Sequence, residues 1–243
     1  MAAPTSSPVD RSPAAFYFDL ASPEAYLAAE RALRVLPGPC EWQPIRASRL
    51  PHAETFEAYR CANEELIFRE EIARRARIHG LQPVRWPASF PFDTDLAMLA
   101  ATFAKRIGKT VAFALAAFRQ AFAGGRDLGV EENVLIAAAA CEIHPAALLK
   151  AIGSRSVREE LARATAEALA LGVIDVPAVR VADRVLVGDV RLEEAGRLLG
   201  ELQRVAVGSG AGGIAGPGDA AGVSGVAGAG GVGGVAGAGG AGG

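Results

Sequence analysis

The first patterned stretch is Ala14 to Asp19, apolar and aromatic until the aspartate, which predicts a buried strand. Ser22 through Val35 then follows helical spacing, with Tyr26, Leu27, Ala29, Leu33 and Leu36 along one broad face, and Pro37-Gly38-Pro39 stops it. Cys40-Glu41-Trp42-Gln43-Pro44-Ile45 predicts a second short strand, parallel to the first because a helix forms the crossover. These residues make one βαβ unit.

From about Ala53 to Gly172 the periodicity becomes helical throughout. Helices are predicted over Glu64 to His79, Thr94 to Ile107, Thr110 to Ala123, Glu131 to Cys141 and Pro145 to Ile152. Gly80, Gly108 and Gly124-Gly125 close the first three. Ser156-Val157-Arg158-Glu159 reads as a capping box opening a last helix to Leu171, with Gly172 just past its end. Strands then return. Val173 to Pro177 leads into Ala178–Val181, a turn follows at Ala182-Asp183-Arg184, and Val185–Gly188 completes a hairpin. Leu192 to Leu202 predicts an amphipathic helix through Leu192, Ala195, Leu198 and Leu199. The expected organisation is a leader over 1–13, an α/β unit over 14–52 and 173–206, a helical insertion over 53–172, and a tail over 207–243.

Composition changes this picture only at the ends. The leader is Ser/Pro/Ala-rich without the apolar segment of a secretory signal, so a cytoplasmic location is expected. The tail is almost entirely Gly, Ala and Val and cannot bury enough surface to order a chain. Disorder is expected there, with a sticky interaction tail as the alternative. A net charge of −2 without a dense basic run argues against a nucleic-acid footprint, and no apolar run in the folded part is long enough to predict a membrane span. Arg69 to Arg77, with four arginines and two glutamates, reads as a solvated helix face. Cys40, Cys61 and Cys141 form no CxxC pair, and with His52, His79 and His144 they show no metal-ligand spacing. His79 is expected as a cation near helix carbonyls and His144 as a cap.

The candidate chemistry sits at Ser22-Pro23. A helix start offers unpaired N–H groups and about half a positive charge, which favours an anion. A serine hydroxyl there can steady a thiolate brought by a ligand, since the same field depresses thiol pKa values. Ser at the cap, Pro at the first helical position and Glu after it are also a sufficient structural start for any helix. Both readings stand at this point. Trp86-Pro87-Ala88-Ser89-Phe90-Pro91-Phe92 is the most ligand-like stretch of the insertion, with Trp86 and Phe90 as pocket walls or as core packing.

The order β-α-β, helical insert, β-β-α is that of a thioredoxin-like fold carrying an inserted all-helical domain. With Phe16-Tyr17-Phe18-Asp19, Ser22-Pro23, Tyr26-Leu27-Ala28, Val176-Pro177, and Gly188 with Arg191-Leu192, it resembles the DsbA-like branch of the thioredoxin superfamily over roughly residues 15–200. Within that branch it is most similar to 2-hydroxychromene-2-carboxylate isomerases and kappa-class glutathione transferases. The resemblance implies that Ser22 replaces the first redox cysteine and faces the sulfur of bound glutathione, the expected cofactor. It also implies a cis bond before Pro177, with Val176 pairing a peptide backbone, and Asp189 and Arg191 at the glutathione end.

Ala25 stands where the second redox cysteine would be, so a dithiol–disulfide cycle cannot run through the motif. The chain departs from the family's pattern at Glu24, where an aromatic is usual, at Asp175 in place of a glycine, and at Val190 in place of an acid, with Asp189 one position early. The implied activity is a glutathione-dependent isomerase or transferase acting on a small hydrophobic, unsaturated substrate. No metal is expected, and a homodimer is left open. The alternatives are a catalytically degenerate DsbA-like binding module or, last, a thiol-disulfide oxidoreductase using the scattered cysteines.

Overall fold

The computed structural model describes residues 14–52 and 62–210, with side chains to Val205. The leader, Cys61 and the tail beyond residue 210 lie outside the described residues. Strand β1 (Ala14–Phe18) is followed by α1 (Pro23–Val35), β2 (Glu41–Pro44) and a 3₁₀ turn over Ala47–Arg49. Then come α2 (Ala62–Ile78), α3 (Asp95–Arg106), α4 (Thr110–Phe122), α5 (Glu131–Ala139), α6 (Pro145–Ile152) and α7 (Arg155–Ala170). Strands β3 (Ala178–Val181) and β4 (Arg184–Val187), a second 3₁₀ turn over Asp189–Arg191 and α8 (Leu192–Gly210) complete the chain. Helix α8 therefore runs four residues into the segment assigned to the tail.

The strands form one sheet in the order β2-β1-β3-β4, with β1 parallel to β2 and antiparallel to β3. Phe16 pairs with Trp42 on one side and Val179 on the other, so the most aromatic strand is an interior one. Alternation along β1 divides the core between the two sheet faces. Phe16 and Phe18 join Trp42, Val179, Val181 and Leu186 beneath α1, α3, α4 and α8. Ala15 and Tyr17 face Ile45, Leu50, Ala168, Val173 and Val176. The inserted helices share the first of these cores rather than forming their own, since Phe118, Ala137, Leu148 and Leu161 are part of it.

Three local expectations change. Leu33 is 65% exposed, because α1 turns Ala25, Ala28, Ala29 and Ala32 inward and their small side chains let it lie close to its neighbours. The cap of α7 is Ser154, whose Oγ accepts from the Ser156 amide at 3.2 Å. Ser156 lies inside the first turn and opens no capping box, and Glu159 pairs with Arg155 instead. His144 does cap α6, its Nδ1 accepting from the Ala146 amide. Burial, then the nearby Arg31, push the His79 pKa down, against the cation expected there. Among the described residues no helix is long and apolar enough to cross a membrane, and no cluster of metal-ligating side chains occurs.

Candidate functional site

The chain leaves β1 through Asp19, and that carboxylate fixes everything that follows. Its Oδ1 accepts from the Ala21 amide at 2.9 Å and from the Thr94 hydroxyl at 3.0 Å, and its Oδ2 accepts from the Ala47 amide at 2.9 Å. One side chain thus ties the strand end, the first 3₁₀ turn and the start of α3 together. Burial raises its pKa, and these hydrogen bonds pull the other way. The next amide, Leu20, donates to the Met98 thioether at 3.3 Å.

Ser22 is fully buried and caps α1, its Oγ accepting from the Ala25 amide at 3.0 Å. The hydroxyl has one hydrogen to give and two distant acceptors for it: Glu24 Oε2 at 3.4 Å and the Val176 carbonyl at 3.5 Å. The Val176–Pro177 peptide bond is cis, and it lies against the helix start through that carbonyl. The Val176 amide is already held, donating to Asp175 Oδ1 at 2.7 Å. Gly188 closes the loop from the other side by donating to the Pro177 carbonyl at 2.7 Å. Its φ of 97° is one that only glycine adopts without strain.

Beyond Glu24 the site continues as a chain of charges. Arg75 of α2 stands 3.7 Å from Glu24 and bonds Asp189 through Nη1. Arg31 of α1 meets the far side of Asp189, its Nη1 3.6 Å from Oδ2, and Nη2 donates to Glu193 at 2.6 Å. Arg31 and Asp189 are each 1% exposed. Arg31 Nε and Nη1, Arg75 Nε and Asp189 Oδ2 have no hydrogen-bond partner, so the network is closed in charge but not in hydrogen bonding. Burial raises the pKa of Asp189, opposed first by Arg75 and then by Arg31. Burial pushes the Glu24 carboxyl up to about 7, with Arg75 opposing and Asp189 and Asp175 adding to the rise.

Ser22, Val176 and Pro177 are brought together. Asp189 is buried one layer behind Arg75, and Arg191 turns outward to chelate Glu194 at 2.8 and 2.9 Å. Val190, between them, is 68% exposed and uncharged. Trp86 and Phe90 pack edge to face at 4.8 Å in an aromatic cluster that reaches Phe122 and, through it, Tyr26 of α1. Arg69 covers the Trp86 ring at 4.9 Å.

Arg31 and Arg75 are the residues that sequence reasoning missed. Arg75 lies three residues after Ile72 and one before Ala76, on the only stripe of α2 that is buried. That spacing was the available signal against a uniformly solvated face. Burial pushes the Cys40 thiol up to about 12 and also raises Cys141.

Several solved structures share this architecture. 2-Hydroxychromene-2-carboxylate isomerase matches with a TM-score of 0.69 at 18% identity, over 81% of this chain and 98% of its own. A probable DsbA oxidoreductase from Streptomyces coelicolor gives 0.65 at 18%, over 79% and 89%. The cytosolic disulfide reductase DsbM from Pseudomonas aeruginosa, with GSH, gives 0.56 at 15%, over 80% and 98%. At these identities the likeness is one of fold. No curated protein sequence matches this one. Residues 15–200, from the first strand to the middle of α8, match the DSBA-like thioredoxin domain, and the chain belongs to that family.

Proposed function

We propose that this chain is a non-redox, glutathione-dependent isomerase or transferase of the 2-hydroxychromene-2-carboxylate isomerase type, acting on a hydrophobic, unsaturated substrate. One observation carries the reading. The helix start that holds a redox cysteine elsewhere in the fold holds Ser22 here, against a cis-proline loop, with Ala25 at the second redox position.

The thiol end of glutathione fits these residues. The Ser22 hydrogen is weakly committed, with no acceptor nearer than 3.4 Å, and can turn to an anion at the helix start. The field of α1 favours that anion over its neutral form. The γ-glutamyl end does not fit the residues expected for it, because Asp189 is buried in ion pairs, Arg191 is held by Glu194 and Val190 carries no charge. Other partners must hold that end.

Glutathione supplies a nucleophilic sulfur for reversible addition to a substrate double bond. Ser22 Oγ–H orients and steadies negative charge at the helix start, and the Val176–Pro177 loop limits approach from the opposite side. Trp86 and Phe90 offer an apolar wall for the substrate, with Arg69 above it. A reducing cytoplasmic setting suits this chemistry.

Titration with reduced glutathione tests the proposal. Saturable binding weakened in Ser22→Ala, with turnover of 2-hydroxychromene-2-carboxylate only when glutathione is present, is the expected result. Absence of saturable binding at millimolar glutathione overturns it. That outcome would favour the second reading, a binding module without catalysis. This second reading is supported by the internal engagement of the Val176 amide with Asp175, of Asp189 with Arg75 and of Arg191 with Glu194.

A further inference from the structure

We propose that Glu24 is the proton acceptor and donor of this site, and that its protonation state sets the direction in which the Ser22 hydroxyl points. The inference rests on the reading of the helix start as a thiol site. It goes further by assigning a function to a residue at which the chain departs from its family's pattern.

The geometry allows two arrangements. Ser22 Oγ always accepts from the Ala25 amide at 3.0 Å, which leaves one lone pair and one hydrogen. When Glu24 is a carboxylate, that hydrogen goes to the charged Oε2 at 3.4 Å in preference to the neutral Val176 carbonyl at 3.5 Å. The hydroxyl is then turned away from any ligand. When Glu24 is protonated, its own O–H donates to the remaining lone pair of Ser22 Oγ. The serine hydrogen is released and can point at an anion beside the helix start.

The surroundings leave Glu24 able to take either form. Its side chain is 20% exposed, so a proton can reach it. From α2, Arg75 faces it at 3.7 Å but is bonded directly to Asp189, and Glu71 stands 3.5 Å from the same guanidinium. From the second 3₁₀ turn comes the Asp189 carboxylate, and from the segment before β3 comes that of Asp175. Arg31, Glu193 and His79 lie behind Asp189. Burial pushes the Glu24 carboxyl up to about 7, and Arg75, shared with Asp189 and Glu71, opposes this only in part.

The proton transfer balances without a co-reactant. The S–H bond of the bound thiol breaks, its electron pair stays on sulfur, and an O–H bond forms on Glu24. The neutral Glu24 frees the Ser22 hydrogen for the sulfur anion that the transfer has just produced. When the sulfur leaves the substrate, Glu24 returns the proton and Ser22 turns back. Loss of the proton and stabilisation of the resulting charge are one coupled event.

The test is calorimetry of reduced glutathione binding in buffers of different ionisation enthalpy, paired with ultraviolet thiolate absorbance, at about pH 8, above the Glu24 value. For wild type, thiolate should appear with close to zero protons released. In Glu24→Gln each thiolate formed should release about one proton to buffer. The infrared band of a protonated carboxyl should appear when wild type binds glutathione, and not when it binds S-methylglutathione, which has no thiol proton. This arm needs no variant and holds if Glu24→Gln fails to fold. Equal proton release in wild type and Glu24→Gln, or no carboxyl band on glutathione binding, overturns the proposal alone. Absence of any glutathione binding to wild type overturns the thiol reading and this inference together, and is recognised by the missing saturation.

Discussion

Arg75 stands between two carboxylates and serves them unequally: Nη1 bonds Asp189 Oδ1 directly, while Nη2 remains 3.7 Å from Glu24 Oε1. Asp189 takes most of the cation, and Glu24 is left with a weak opposing charge against the cost of burial. The same arginine therefore holds α2 to the turn before α8 and determines how readily the carboxylate beside Ser22 takes up a proton. Arg31 completes the arrangement from α1, so that two helices meet on one buried aspartate lying 158 and 114 residues further along the chain from their arginines.

Removing Arg75 should be costly in proportion to that burial. Arg75→Met leaves Asp189 with Arg31 alone and should lower stability by about 3–5 kcal/mol, as expected when one partner of a buried ion pair is lost. Asp189→Asn in the same background should recover part of the loss, because no unpaired carboxylate then remains. Urea unfolding of the two single variants and the double variant measures the coupling. A coupling near zero would mean that the pair does not hold α2 in place.

Glu24 also predicts the pH dependence of stability. Its carboxyl sits at about 7 in the folded protein against an unfolded value of 4.5, so across that window the folded state binds more protons than the unfolded one. Stability must then fall as pH rises from about 4.5 to about 7, with a contribution of up to ~3 kcal/mol from this group. Asp19, Asp175 and Asp189, each raised mainly by burial, act in the same direction. Glu24→Gln should flatten the slope and be the more stable protein above pH 7. Unfolding curves at several pH values within the window check it, and a wild-type stability that rises with pH there contradicts it.

Asp19 is the test of what positions the site. It accepts three hydrogen bonds from three segments, and an amide in its place can satisfy only one side of that set. Asp19→Asn should cost roughly 2–3 kcal/mol, since an NH₂ group turned toward the Ala47 amide leaves a buried donor unpaired. Glutathione affinity should fall with it as the loop carrying Ser22 loosens. Unchanged stability would show that the carboxylate is dispensable to this loop.

Much of this site was legible in the sequence, and the reason for the remainder is physical. Ser22-Pro23 announces a helix start because cap and first-turn preferences are local, and the structure puts the cap there. The hairpin at Ala182-Asp183 and the stops at Gly80, Gly108 and Gly172 are local for the same reason. Arg75 could not be read this way. Arg74 pairs with Glu71 within the exposed face of α2, as an arginine-rich helix suggests, whereas Arg75, one residue on, meets a carboxylate in a turn 114 residues away. The burial of Asp189 depends on that distant pairing. Ser154 rather than Ser156 caps α7 because a single residue of register decides which hydroxyl meets a first-turn amide.

The described cysteines should be chemically quiet. Cys40, with its thiol pushed to about 12 first by burial and then by Glu41, and Cys141, raised by burial, will be almost wholly protonated at neutral pH. Thiolate is the reactive form, so both should label slowly with alkylating reagents in the folded protein and rapidly in urea. Cys40→Ser and Cys141→Ser should leave glutathione binding unchanged, and wild type should not reduce insulin. Insulin reduction lost in either variant would restore a redox role.

Gly196 sets two effects against each other within α8. Replacing a helical glycine by alanine ordinarily stabilises by about 1 kcal/mol. Here, however, a Cβ at residue 196 would sit 2.4 Å from the Val35 carbonyl oxygen and 3.1 Å from its Cγ1. The obstructing atom is backbone at the end of α1 and cannot rotate away. Helices α1 and α8 would have to separate, and overpacking of this kind costs typically 1–3 kcal/mol. Because α1 carries Ser22 and Arg31 while the turn before α8 carries Asp189, separation should also strain the buried Arg31–Asp189 contact. Gly196→Ala is therefore expected to destabilise despite its higher helix propensity. It should also lower glutathione affinity without touching the ligand. A stabilised variant with unchanged binding would show that the two helices can part without disturbing the charge network between them.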